Sequence, residues 1–222
     1  MMLRTPEPEL MDDDRQAQAY AAADFDEPNE QFLSLWLLHF GEPHGRLLDV
    51  GCGPGDIMLR FARRWPALQI VGLDGAEAML QHGRAALAQA PALAGRVSFI
   101  RDSVPGAALP DSAFDGLISN SLLHHLHEPT GFWDMLRRVG RPAAPVLVMD
   151  LFRPESPEDA AAIVDRYAVG EPEVLRTDFY NSLLAAFTPE EVSGQLAAAG
   201  LGDFTVERVS DRHMLVHGRL PG

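Results

Sequence analysis

From Arg46 onward, short apolar runs rich in β-branched residues alternate with stretches in which apolar residues return every three or four positions. That alternation predicts a mostly parallel sheet with crossover helices. The runs place strands at residues 46–50, 69–73, 97–101, 116–119 and 145–151, with helices beginning near Pro54, Ala76 and Thr130. Pro54 is tolerated there because the first helical turn needs no backbone donor. After the fifth strand the rhythm breaks: residues 152–187 are long, aromatic-bearing and helical in pattern, and read as an insertion. In "FTPEEVSGQLAAAG", Thr188 is the N-cap, Pro189 the first helical residue, Glu191 the partner in a capping box and Gly200 the terminator. "FTVERVS" and "HMLVHGRL" follow, joined at Asp211-Arg212, a turn too short for a crossover, so they form an antiparallel hairpin. Upstream, Leu33, Trp36, Leu37 and Phe40 recur at helical spacing, so residues 15–43 read as a helical cap of one or two helices broken near residues 26–28. Residues 1–14 show no periodicity and are expected to form a mobile tail.

Composition narrows the function classes. With 222 residues, 46% hydrophobic and 23% charged, the chain can bury one substantial core. No apolar run approaches the roughly 18 residues of a membrane helix, and "MMLRTPEPELMDDD" is acidic where a secretory leader is basic and then apolar. No membrane insertion and a cytoplasmic location are therefore expected. The single cysteine, Cys52, excludes an intrachain disulfide and a multi-cysteine zinc site. A net charge of -14 repels a phosphate backbone, so no nucleic-acid partner is expected. Arg60, Arg63 and Arg64, and Arg137, Arg138 and Arg141, read as solvated helix faces.

The stretch "LLDVGCGPGD", residues 47–56, puts three glycines directly after the first strand, where ligands bind in open parallel sheets. A dinucleotide loop G-x-G-x-x-G counted from Gly51 requires glycine at 56, where Asp56 stands, and no Gly-Lys-Ser or Gly-Lys-Thr follows for a triphosphate. Asp49 precedes the loop, Asp74 ends the second strand and Asp102 ends the third. Three carboxylates in that register suit a nucleoside that carries positive charge and no phosphate.

Together with "VGLDGAEAML", "FIRDSV", "FDGLISNSLLHHL" and "VLVMDLFRP" in this order and spacing, the loop makes the sequence resemble the class I S-adenosylmethionine-dependent methyltransferases, particularly the small-molecule branch often labelled type 11. The resemblance runs from about residue 44 to the terminal hairpin. It implies an α/β, Rossmann-like, seven-stranded sheet, mostly parallel with the last strand antiparallel, and helices on both faces. It also implies S-adenosylmethionine as cofactor and S-adenosylhomocysteine as product. By position, Asp49 with the backbone of Gly51 and Gly53 would hold the methionine moiety and Asp74 the ribose diol. Asp102 would take the adenine amino group, with Ser103 or Val104 giving a backbone contact, and Asn120 would stand near the sulfonium. Two departures stand out. Gly75 replaces the bulky residue usual against adenine, so Met79 is expected to cover that face, and Pro142, Ala143 and Ala144 replace a proline-glycine-glycine turn.

Methyl transfer from a sulfonium is an in-line displacement, in which the protein mainly holds the acceptor on axis. Acid-base help, where the acceptor must lose a proton, is expected from His124 or His125 in "SLLHHLHEP", with Tyr180 of the insertion as a further candidate. His124 and His127 have metal-ligand spacing only if that segment is helical; the family carries "LHHL" without a metal, and no metal site is expected. The small-molecule acceptor would be enclosed by the cap and the insertion, through Tyr20, Phe25, Tyr167, Phe179, Tyr180 and Asn181 and the polar group Asp178 and Ser182, with Asp150 and Arg153 completing the site. A monomer or homodimer is expected. Two other readings stay open: an enzyme making or using a modified S-adenosylmethionine, with Arg153 neutralising an extra carboxylate, and a non-catalytic S-adenosylmethionine-binding sensor or scaffold.

Overall fold

The structure, a computed structural model, describes residues 2–8, 14–23, 25–106 and 108–222. Five strands lie where the apolar runs place them: β1 (Arg46–Val50), β2 (Gln69–Asp74), β3 (Val97–Arg101), β4 (Gly116–Asn120) and β5 (Pro145–Leu151). β2 and β4 each extend one residue further than the pattern predicts, because Asp74 still pairs with Arg101 and Asn120 with Met149. The hairpin supplies β6 (Thr205–Arg208) and β7 (His213–Arg219). The sheet order is β3-β2-β1-β4-β5-β7-β6. The first five strands are parallel, and β7 runs antiparallel to both β5 and β6. This is the Rossmann-like, seven-stranded arrangement expected.

Side-chain alternation divides the core into two layers. Leu48, Val50, Leu117, Val146 and Val148 face Phe132, Trp133 and Leu136 of α5 (Thr130–Val139) and Val192 and Leu196 of α8 (Pro189–Ala198). Leu47, Ile118, Leu147 and Met149 face Phe32 and Trp36 of α2 (Asp26–Phe40) and Met58 and Phe61 of α3 (Asp56–Arg64). The capping box at the start of α8 forms in both directions between Thr188 and Glu191. α3 starts two residues after the predicted Pro54, because Gly55 takes φ +81° and the chain cannot be helical until it has passed that left-handed turn. α4 (Glu77–Ala88) follows Ala76 directly.

The cap consists of α1 (Asp14–Ala22) and α2. Of the stripe expected on α2, Leu33 and Trp36 are buried together with Phe32, whereas Leu37 and Phe40 are only partly covered. The insertion forms α6 (Pro157–Tyr167) and α7 (Glu173–Ala185). These close a small core of their own around Leu151, Ala160, Val164 and Leu183. Residues 2–8, expected within a mobile tail, are seated along the end of α7. Thr5 N–H donates to Leu184 O at 3.0 Å, and Arg4 Nε donates to Ala185 O at 2.5 Å. Of the rest of that tail, residues 1 and 9–13 lie outside the described residues, and Asp14 is the first residue of α1. Among the described residues no helix is long and apolar enough to cross a membrane.

Candidate active site

β1 pairs with β2 on one side and β4 on the other, so the topological switch point falls at the end of β1, where the glycine loop begins. Gly51, Gly53 and Gly55 all take positive φ, at 71°, 51° and 81°. A Cβ on Gly51 would meet Leu122 Cδ1 at 2.7 Å, whereas one on Gly53 meets nothing within 4 Å, so the loop presents bare backbone to open space at Gly53. Asp74 braces this loop with both carboxylate oxygens. Gly53 N–H donates to Oδ2 at 2.8 Å and Ala76 N–H to Oδ1 at 2.8 Å, joining the loop to the start of α4.

Asp49 is almost fully buried and its carboxyl is pushed up to about 8, first by burial and then by the charge of Asp74. The same surroundings, burial first and then Asp49 and Asp74, push the Cys52 thiol up, so it is a poor nucleophile. Cys52 instead fills space against Gly72, where a Cβ would meet its sulfur at 2.7 Å. Asp102 accepts from Ser103 N–H at 2.8 Å and Ala108 N–H at 3.2 Å, which folds the loop after β3 back on itself. Val104, in that loop, packs against the main core. Asp56, the residue that breaks the dinucleotide spacing, accepts from Asn29 Nδ2 of α2 at 2.6 Å. Met79 is buried with Ala76 and Ala78 beneath Ala17 of α1, with Tyr20 alongside, so the cap helix lies over the segment where Gly75 has no side chain. The Tyr20 hydroxyl is pushed up to about 12 by burial and then by Asp56, Asp150 and Asp74. At the end of β4, Asn120 Oδ1 is buried and finds no hydrogen-bond partner among the described residues.

The histidine segment is a single 3-10 turn, Leu123–His125. It is too short to put His124 and His127 on one helix face, so the ligand pair considered for a helix does not form. His127 Nε2 instead lies 2.7 Å from Glu7 O. His124 and Asp150 are both buried, with Nδ1 2.5 Å from Asp150 Oδ1. Asp150 is fixed by Leu123 N–H at 2.6 Å and Leu151 N–H at 2.7 Å. Burial by itself would lower His124, but the charge and hydrogen bond of Asp150, and then Glu7, hold its pKa above the ordinary value. Burial and then the neighbouring His124 push His125 down to about 3.

Glu7, in the seated N-terminal segment, was not foreseen from sequence. Its Oε1 lies 3.5 Å from His124 Nε2 and 3.4 Å from His125 Nδ1, and accepts from Ser182 Oγ at 3.0 Å. Burial raises its pKa, partly opposed by His124. The three groups bring their ligand atoms within 4.8 Å of one another. Arg4 pins the segment by donating to His124 O and Leu126 O, both at 2.9 Å, and lies over the Phe187 ring. Arg153 donates to Met2 O at 3.1 Å, Ala186 O at 2.8 Å and Glu191 Oε1 at 2.6 Å.

Tyr180 is not part of this group and packs with Val164 and Leu183 between α6 and α7. Helix geometry explains the split. Tyr180 is about 200° around α7 from Ser182, whereas Asp178, one turn before Ser182, shares its side. Asp178 accordingly acts electrostatically on Glu7. The spacing of Asp178 and Ser182 was the usable sequence signal; nothing in "MMLRTPEPELMDDD" marked Glu7.

Residues 47–143 match the family described as methyltransferase domain. The chain is 30% identical over 113 residues to an uncharacterized methyltransferase of Schizosaccharomyces pombe, covering 49% of this chain and 41% of that protein. It is 33% identical over 114 residues to a ubiquinone/menaquinone biosynthesis C-methyltransferase of Geobacter sulfurreducens, covering 50% of this chain and 44% of that one. The chain thus spans less than half the length of these relatives. Among solved structures, a putative S-adenosyl-L-methionine-dependent methyltransferase of Methanococcus maripaludis superposes with a TM-score of 0.75 at 16% identity, over 98% of both chains.

Proposed function

We propose that the chain, whose residues 47–143 match a methyltransferase domain, is a class I S-adenosylmethionine-dependent methyltransferase that transfers the methyl group of its cofactor to a small-molecule acceptor by in-line displacement. The observation that carries this reading is the placement of Asp49, Asp74 and Asp102 near the carboxyl ends of three adjacent strands, beside a glycine loop that Asp74 braces and whose backbone is open at Gly53. The bound cofactor supplies a methyl group activated on a cationic sulfur.

On this reading Asp49 and the backbone of Gly51 and Gly53 hold the amino-acid end, Asp74 the ribose, and Asp102 with Ser103 or Val104 the adenine. Met79 and the overlying α1 close the face that Gly75 leaves bare. Asn120 turns a buried, unpaired oxygen toward the reacting end, where a polar or positive partner satisfies it. His124 is the base for an acceptor that must lose a proton. Asp150 on Nδ1 orients the ring, the role such a carboxylate plays in a serine-protease triad, and Nε2 accepts the proton when the acceptor takes the place of Glu7 Oε1, which stands 3.5 Å from it. His125, neutral at pH 7, and Glu7 line the same turn.

Two observations support a small, non-anionic acceptor. The segment 2–8 and α7 cover the histidine turn, which leaves no broad face for a macromolecule. Arg4 and Arg153, two cations at this end, are already engaged by backbone carbonyls and Glu191, while Glu7 and Asp150 add negative charge. The engagement of Arg153 also weighs against a carboxylated cofactor. The buried His124–Asp150 pair weighs against a purely binding role, since a sensor has no use for an oriented base.

Calorimetry with S-adenosylmethionine and S-adenosylhomocysteine tests the cofactor, and labelled-methyl transfer into fractionated metabolite extracts tests the acceptor. Absence of binding by both ligands overturns the proposal. Binding without transfer into any fraction turns it toward the sensor reading.

A further inference from the structure

A second cluster of ligand-type side chains lies away from the candidate active site. His213 of β7 pairs with Leu151 at the edge that carries the site, whereas His217, four residues on, pairs with Leu147 toward the opposite end of β5. Glu207 of β6 pairs with Leu215, which packs in the same core layer as Trp36 of α2, so Glu207 and His217 stand on the sheet face that α2 covers. His39, in the last turn of α2, completes the group.

The atoms converge. His217 Nε2 is 3.2 Å and His39 Nε2 3.7 Å from Glu207 Oε1, and the two imidazoles stack with centroids 3.8 Å apart. A tetrahedral ion with bonds of about 2.0–2.2 Å sets its ligand atoms about 3.3–3.5 Å apart; the two distances to Glu207 bracket this, the imidazole nitrogens lie within 4.8 Å of each other, and the stacked rings turn to aim both at one ion. His39 Nε2 is buried and has no hydrogen-bond partner among the described residues, an omission that costs stability unless something occupies the space it faces. A histidine–carboxylate ion pair is the simpler use of such residues. Such a pair leaves the buried His39 Nε2 without a hydrogen bond, because it stands 3.7 Å from Glu207 Oε1.

We propose that His39, Glu207 and His217 form a site for a divalent transition ion of the zinc type. Two imidazoles and one carboxylate supply three ligands, and the half-exposed Glu207 leaves a side open for water. The three ligands come from a helix end and two paired strands. A bound ion therefore fastens the helical cap to the terminal hairpin and stabilises the fold without taking part at the glycine loop.

The test uses the full chain stripped with chelator and titrated with Co2+, whose visible d–d bands report coordination, followed by displacement with Zn2+. One equivalent should bind, Zn2+ should displace it, and the thermal midpoint should rise. H39N and H217N should each weaken binding by at least about tenfold, since even an outer-shell partner of a metal ligand is worth 10–100-fold. E207Q, a half-exposed change that leaves the core intact, should weaken it likewise. Glu7, His124 and His125 form another three-ligand group, so H125N is the control and should leave the bands unchanged. Absence of bands at submillimolar protein with Co2+ in slight excess, bands that survive both H39N and H217N, or bands lost in H125N would each overturn the assignment.

Discussion

The glycine loop and the histidine turn sit at the same edge of one sheet but are built in different ways. The loop is held by backbone, with Gly51 and Cys52 N–H donating to Leu73 O and Gly53 N–H to Asp74, all within about one βαβ unit. The turn is held by side chains, Asp150 of the next strand, 26 residues from His124, and Arg4 from far along the chain, 120 residues from His124 and 181 from Ala185. The first region is specified locally and, on the proposed function, takes the cofactor. The second depends on tertiary contacts, which lets acceptor chemistry vary while the loop stays the same.

Substitutions on the two sides should separate these roles. The largest effect is expected for D150N, which removes the charge that orients His124 and raises its pKa. Turnover should fall by about 10²–10⁴-fold, and the pH at which activity rises should shift downward, while calorimetric cofactor affinity stays unchanged. D74A is the reverse case. Losing a charged acceptor for two backbone donors at about 1.5–3 kcal/mol each should weaken cofactor binding by about 100-fold or more in the same calorimeter. R4A should loosen the seated segment, raising the acceptor KM by about tenfold and leaving the cofactor dissociation constant alone. Equal loss of both affinities would show that the two regions are not separable.

A smaller effect concerns protons. Asp49 has a folded pKa of about 8 against an ordinary 3.8, so it is mostly neutral at pH 7. Its contribution to stability is complete below pH 4 and is lost as pH rises toward 8. A cationic ligand lowers that pKa, so cofactor binding at pH 7 should release up to one proton, read from the dependence of binding enthalpy on buffer ionisation. D49N should abolish the release. The smallest effect lies outside both regions. Ala143 takes φ +60° in the turn before β5. A left-handed conformation costs a non-glycine residue about 1–2 kcal/mol and glycine's extra chain entropy about 0.5–1. A143G should therefore stabilise the protein by about 0.5–1 kcal/mol in denaturant melts, without change in catalysis.

The same division explains what the sequence made legible. Strand positions, the capping box at Thr188 and the three aspartates follow from periodicity and from residues next to one another in the chain, and they lie where expected. The start of α3 was misplaced because Pro54 is compatible with a first turn, while the positive φ of Gly55 that delays the helix leaves no mark beyond the glycine itself. Tyr180 was put forward for its chemistry, but its direction depends on how α6 packs on α7. Glu7 was hidden because an acidic, aperiodic segment resembles any solvated tail. What seats it is Arg4 finding the carbonyls of His124, Leu126 and Ala185, a match of partners that one-dimensional pattern does not encode.

The seating of residues 2–8 has a practical consequence for handling the protein. Met2 O accepts from Arg153 Nε, so anything fused ahead of that residue begins within reach of the histidine turn. An affinity tag placed there competes with the seated segment or lifts it away, so a methyl-transfer assay on such a preparation measures the tag as much as the protein. The chain leaves β7 at Arg219, which pairs with Pro145 at the opposite end of β5 from the site, so a label placed beyond that strand stays clear of the turn.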